Sequence, residues 1–296
     1  MQKIIDNIDK INDWINKAPD INKFKDNDEF MEFSMELMNY THYLLKIGVA
    51  LTSSKEESKL GFSRNKAIIV GHMVRIVKLF NGLCTHVSKR ESELAGIFVR
   101  LIYETEVKIN YLLKCKKESF DNFILISHRS NKKILKDFKK IEEKRELIPI
   151  ENRLKESIIR NLENDGISIE KLLSHKNWKL DGKSFEDILK HLDRDSEYCF
   201  MFGPTSSFIH GDWFNLHQYH LEKKDNLYFP DLDYHDPTPM TSCPLSAFCL
   251  RVLIKYLEWM KSDPDKFVIN SINSLISLAV KIDSIHEKKI VDNQIS

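Results

Sequence analysis

Glycine and proline are scarce, nine and eight in 296 residues, which argues against a sheet with many tight corners and fits long helices joined by short turns. Cysteine pairing is missing as well. Cys84, Cys115, Cys199, Cys243 and Cys249 are odd in number and show no C-x-x-C spacing, so neither a disulfide framework nor a structural zinc site is expected. They read as reduced thiols and small buried hydrophobes. No charge excess exists, since 45 Lys and Arg stand against 44 Asp and Glu; attraction to nucleic acid would have to come from a local patch. The longest apolar runs, AIIV at 67–70 and YLLKIGVAL at 43–51, stop well short of the ~20 residues of a membrane span, so no transmembrane helix is expected. The first residues, MQKIIDNIDKINDWINK, lack the unbroken apolar segment and small-residue cleavage site of a signal peptide, and the cytoplasm is the expected location.

What is present is helical periodicity, and the fold class expected is all-α, a single large helical bundle over 1–296. Ile4, Ile8, Ile11 and Trp14 form a stripe at helical spacing that predicts an amphipathic helix docked on the body or on a second subunit. Helices are expected over 29–52, 63–87 and 92–116, with Ser63 as N-cap and the polar stretch 53–59 as a turn. A lysine-rich helical segment over 118–164 is split by Pro149, and shorter helices follow at 168–174 and 184–193. Gly203 and Pro204 interrupt the pattern and start a new helix, because proline suits a first helical turn and not an interior. An irregular loop over 222–244, holding four of the prolines, precedes C-terminal helices at 245–261 and 265–288.

Two polar pairs stand out in apolar helical sequence: Arg100 with Glu104 inside LAGIFVRLIYETEVKINYLL, and Ser206 with His210 inside FGPTSSFIHGDW. Residues four apart share a helix face, so each pair presents two polar groups to one spot. The helix over 92–116 is apolar on most sides and therefore central, and charges at such a position persist only when paired. An internal ion pair that locks helix register and a functional site are both consistent with Arg100 and Glu104. His210 is likewise open to two readings, a hydrogen-bonded core histidine or a general base. His217 with His220, or Cys243 and Cys249 joined by His235, give only weak metal-ligand spacings, and no metal is expected.

The stretches RNKAIIVGHMVRIVKLFNGL, VRLIYETEVKINYLL, NWKLDGKSFEDILKHL and EYCFMFGPTSSFIHG, in that order over roughly 30–220, resemble domain of unknown function 5677, a bacterial all-helical family of HEPN-like character. The resemblance assigns site positions to Arg100, Glu104, Tyr111, Trp178, Tyr198, Ser206 and His210. Many HEPN proteins are metal-independent ribonucleases of toxin and phage-defence systems and act as dimers, which implies a homodimer, RNA as partner and no cofactor. This chain departs from their motif of an Arg four to six residues before a His; its nearest approach, Arg64 with His72, has seven residues between.

Two functional classes follow. In one, the chain is a toxin or phage-defence effector that binds or cleaves RNA, with His210, Arg100, Glu104 and Ser206 as catalytic residues. Tyr111, Tyr198, Trp178, Lys132 and Lys133 would then hold the substrate. In the other, it is a non-catalytic helical module that binds an antitoxin, another partner protein or a small ligand, and the polar pairs hold the bundle in register.

Overall fold

The computed structural model describes residues 2–53, 61–263, 265–292 and 294–295. Among them are thirteen α-helices and a single two-stranded sheet, so the protein is all-α. Contacts group the chain into two compact units, one of residues 1–113 with 194–296 and one of residues 114–193, where the sequence reads as one continuous domain.

The first unit holds α1 (Gln2–Asn16), α2 (Asn27–Ser53), α3 (Arg64–Ser88) and most of α4 (Ser92–Lys114). The predicted stripe on α1 is turned inward: Ile8 and Ile11 are buried, and Trp14 stacks on Phe33 at 5.1 Å and donates from Nε1 to Glu36 at 2.7 Å. Ile8, Ile11 and Trp14 thus pack on this chain's own body, while the Ile4 side chain lies outside what is described. The turn expected at 53–59 lies outside the described residues, except that Ser53 ends α2.

Helix α4 is central, as its sequence predicts, with fourteen of its 23 residues buried. On one side Phe98 fills the space left by Gly82 and stacks with His86 of α3. On another, Tyr103 meets Phe248 of a long helix, α12 (Pro239–Met260), edge to face. That helix packs against α2 and against the last helix, α13 (Phe267–Val291); the lack of a Cβ at Gly48 admits Leu253 between α2 and α12.

The loop expected over 222–244 is largely structured. A hairpin pairs β1 (Leu221–Lys224) with β2 (Leu227–Pro230), Leu221 opposite Pro230 and Lys224 opposite Leu227. Asp225 and Asn226, both at positive φ, make the two-residue turn that such hairpins favour. Helix α12 begins at Pro239, six residues before the predicted start, because Pro239 occupies its first turn and Pro244 is tolerated inside it.

Three helices, α3, α12 and α13, contain 18-residue stretches of mean hydropathy 1.2 to 1.5 and are long and apolar enough to cross a membrane. Counting unbroken apolar runs missed them because isolated polar residues, such as Arg75 in α3, interrupt otherwise apolar helices.

The second unit is built from α5 (Lys117–Ser127), α6 (Arg129–Glu142), α7 (Pro149–Asn164), α8 (Ile169–Ser174) and α9 (Phe185–His191). Pro149 splits the lysine-rich segment as expected, at the first turn of α7. There the Arg145 guanidinium and the Ile148 N–H hold the Glu151 carboxyl down at about 2. A second break falls at His128, whose ring is held by Asp165 at 2.7 Å and by Asn131 at 2.9 Å.

Candidate functional site

Of the sequence-predicted residues, Arg100, Glu104, Tyr111, Tyr198, Ser206 and His210 belong to the first unit and Lys132, Lys133 and Trp178 to the second. In the first unit, Arg100 donates from Nε to Glu104 at 2.8 Å and from Nη1 to the Phe202 carbonyl, and its guanidinium lies 3.3 Å from the Phe202 ring centroid. Phe202 ends a π-turn, Tyr198–Phe202, in which the Gly203 N–H reaches back to the Tyr198 carbonyl and Tyr198 stacks on Phe202 at 5.0 Å. The Arg100 side chain is only 6% exposed and Glu104 28%. Arg100 is thus directed into the protein, and the pair joins α4 to the π-turn.

The helix predicted after Gly203 forms as α10 (Gly203–His210), with Ser206 half-buried and His210 exposed at its last residue. It approaches α4 through Phe208, whose ring sits where a Cβ at Gly96 would lie, 2.7 Å away. Among the described residues neither Ser206 nor His210 makes a side-chain hydrogen bond or ion pair. Tyr111 is buried on α4, eleven residues beyond Arg100 and therefore about 16 Å along the axis. Arg100 and Glu104 come together, and Tyr111, far along the same helix, does not join them. Since His210 is exposed and strands no partner, His210→Ala is expected to change stability by no more than about 0.5 kcal/mol, measured by urea denaturation.

A buried polar network on α4 was not legible as a site. Arg194 Nη1 contacts both Glu106 carboxylate oxygens at 3.0 and 2.9 Å, while its Nε and Nη2 donate to Glu197 at 2.8 and 2.7 Å. Tyr103 donates its hydroxyl to Glu197 at 2.8 Å, Asn110 donates to Glu106, and Lys255 donates to Asn110 at 2.6 Å. Burial pushes the Glu106 carboxyl up, against the opposing charge and hydrogen bonds of Arg194. The one sequence signal was the spacing of Glu106 and Asn110 on the helix already identified as central.

In the second unit, Lys132, Lys133 and Trp178 line one cleft of about 320 Å³ together with Arg129, Ser130 and Lys136. The four cations follow helical spacing along α6, so they share a face. Lys132 donates to the His175 carbonyl at 2.6 Å and sits 5.4 Å from the Trp178 ring centroid, and the His175 ring meets Trp178 edge-on. No carboxylate lines this cleft, and none of the four cations is in an ion pair among the described residues. Cations in the first turns of a helix also lie at its positive end, which adds to the local field. Lys132 and Lys133 were predicted from sequence; Arg129 was missed because it lies just ahead of the lysine-rich run.

No curated protein and no solved structure matches this chain. The family described as "Family of unknown function (DUF5677)" matches residues 66–227, more than half of the chain, and the match spans both polar pairs and the cationic cleft; this protein belongs to that family.

Proposed function

We propose that this protein binds RNA through the cationic cleft of α6, without cutting it. The observation behind this reading is a face of Arg129, Lys132, Lys133 and Lys136 beside Trp178 with no carboxylate in its lining, in a chain whose total charge is balanced. Cations without counter-charges form an electrostatic footprint for phosphates, and an aromatic wall suits unpaired bases. A cutting mechanism would need Arg100 as phosphate clamp and His210 as base; Arg100 is instead spent on Glu104 and Phe202. The same reading takes the family as HEPN-like and bacterial, the location as the cytoplasm and the wider role as that of an effector in stress or phage defence.

Fluorescence anisotropy with a labelled single-stranded RNA tests it. Four phosphate contacts give a log–log salt slope of about −2.8, hence about a 50-fold loss of affinity between roughly 50 and 200 mM salt. The Lys133→Ala/Lys136→Ala variant, altered only at exposed positions, should show about half that slope, and the RNA should stay intact. An unchanged slope in the variant, or cleavage lost in His210→Ala, overturns the proposal.

A further inference from the structure

A cavity of about 280 Å³ lies where α2, the end of α3, the turn into α4 and the loop before α12 meet, close to the lower end of the roughly 300–1,000 Å³ of small-molecule sites. Its floor is apolar. Met31 and Met35, one turn apart on α2 and half-buried, lie beside the buried Val87 and Pro237. Residues four apart share a helix face, so both thioethers meet the same occupant, and such flexible, polarisable groups favour contact with an aromatic ring. The rim is charged. Asp28, Glu32, Asp236 and Arg90 line it and are all exposed, so three carboxylates stand against one guanidinium.

That rim already holds one cation. Arg90 donates from Nη2 to Asp28 at 2.9 Å and from Nη1 to Asp236 at 3.5 Å, which joins α2 to the loop across the mouth of the cavity. Glu32 is left over. Among the described residues its side chain makes no hydrogen bond or ion pair, not even with Lys17 of the neighbouring cleft that it also borders. The loop wall is tied down along its length. The Asp231 N–H bonds the His220 carbonyl at 3.0 Å, just past a short helix, α11 (Trp213–Tyr219). Further on, the Ser92 N–H bonds the His235 carbonyl at 3.1 Å, and the His235 N–H reaches Glu93 Oε1 at 3.3 Å. The cavity is thus preformed, which lowers the cost of filling it.

We infer that this cavity binds a small organic cation, a primary amine carried on an aromatic body, with the ammonium at Glu32 and Asp236 and the ring on Met31 and Met35. An ammonium donates three hydrogen bonds and accepts none, which suits a rim where carboxylates outnumber the guanidinium. An anion would be repelled by those carboxylates, and a neutral hydrocarbon would leave them unused. A metal ion is the wrong cation, because among the described residues no three His, Cys, Asp or Glu side chains are grouped to hold one. Since the rim is exposed, each ion pair there contributes modestly. The apolar floor supplies most of the affinity, and the charge supplies the selectivity.

Titrating the full chain with phenethylamine at neutral pH, and following the isotopically labelled methyl groups of its eight methionines by NMR, tests the inference. The signals of Met31 and Met35, assigned with Met31→Leu and Met35→Leu, should shift and saturate with a dissociation constant of about 1 mM, as for a ligand of about nine heavy atoms. Phenethyl alcohol, of the same shape without the charge, should bind at least about 5-fold more weakly, and the hydrocinnamate anion should leave both signals in place. Glu32→Gln changes an exposed, unpaired position, so its far-ultraviolet circular dichroism should be unchanged while its affinity for the amine falls about 3-fold. Signals that stay still up to about 10 mM amine, equal binding of amine and alcohol, or a Glu32→Gln variant of undiminished affinity overturns the inference. None of these outcomes bears on the cationic cleft, which lies in the other unit.

Discussion

Replacing Arg194 with alanine is expected to destabilise the fold by about 3–5 kcal/mol, the range for removing one partner of a buried ion pair. Glu106 would lose the group that contacts both of its oxygens, and its side chain, 3% exposed, has no route to water. Glu197 would lose two hydrogen bonds but is 22% exposed and can rehydrate, so most of the cost arises at Glu106.

The pH dependence has a definite sign. Burial already raises the folded-state pKa of Glu106, so the folded protein holds that proton more tightly than the unfolded chain does. The stability tied to this group is present at low pH and lost as pH rises through the folded pKa. Without Arg194 the pKa rises further, and the variant should lose more stability relative to wild type at pH 8 than at pH 5. Urea denaturation at the two pH values measures this. Adding Glu106→Gln should recover part of the loss at pH 8, and a loss that is equal at both pH values would show that Glu106 is not the stranded group.

Arg100→Ala should cost less, about 2–3 kcal/mol. It removes one donor from the Phe202 carbonyl, which keeps the Thr205 hydroxyl at 3.4 Å, and takes the cation from the Phe202 ring. Glu104, however, is 28% exposed and has Lys108 within 3.7 Å, so it stays solvated and partly paired. Arg100→Lys should recover less than half of the loss, because an ammonium cannot lie flat on the ring while donating to Glu104 and to the carbonyl. Denaturant midpoints for the two variants decide the point. Full rescue by lysine would mean that charge alone, and not the planar fork, joins α4 to the π-turn. The contrast with His210→Ala separates a residue that holds the fold from one that only borders it.

The all-α class, the helix starts at Pro149 and Gly203 and the central place of α4 were legible because they follow from local physics. Scarce glycine and proline, proline at first helical turns and apolar residues on nearly every side of one helix need no knowledge of distant partners. The Arg100–Glu104 pair was legible for the same reason, being four apart on one helix. Where its free face points was not, because Phe202 is 102 residues away and reaches Arg100 only through the π-turn. Arg194 and Glu106 lie 88 residues apart, and no periodicity connects them; the buried network exists because the fold brings a short acidic and basic segment, 194–197, against α4. The hairpin at 221–230 was hidden by proline content that reads as loop, although Asp225 and Asn226 carried the turn signal. Sequence determined which helices form and which faces must be covered, since both depend on spacing along the chain. Only tertiary structure decided that Ile8, Ile11 and Trp14 pack on this chain's own body, that Arg100 is tied to Phe202 and that the lysines of α6 share a cleft with Trp178, because each depends on residues brought together across long chain separations.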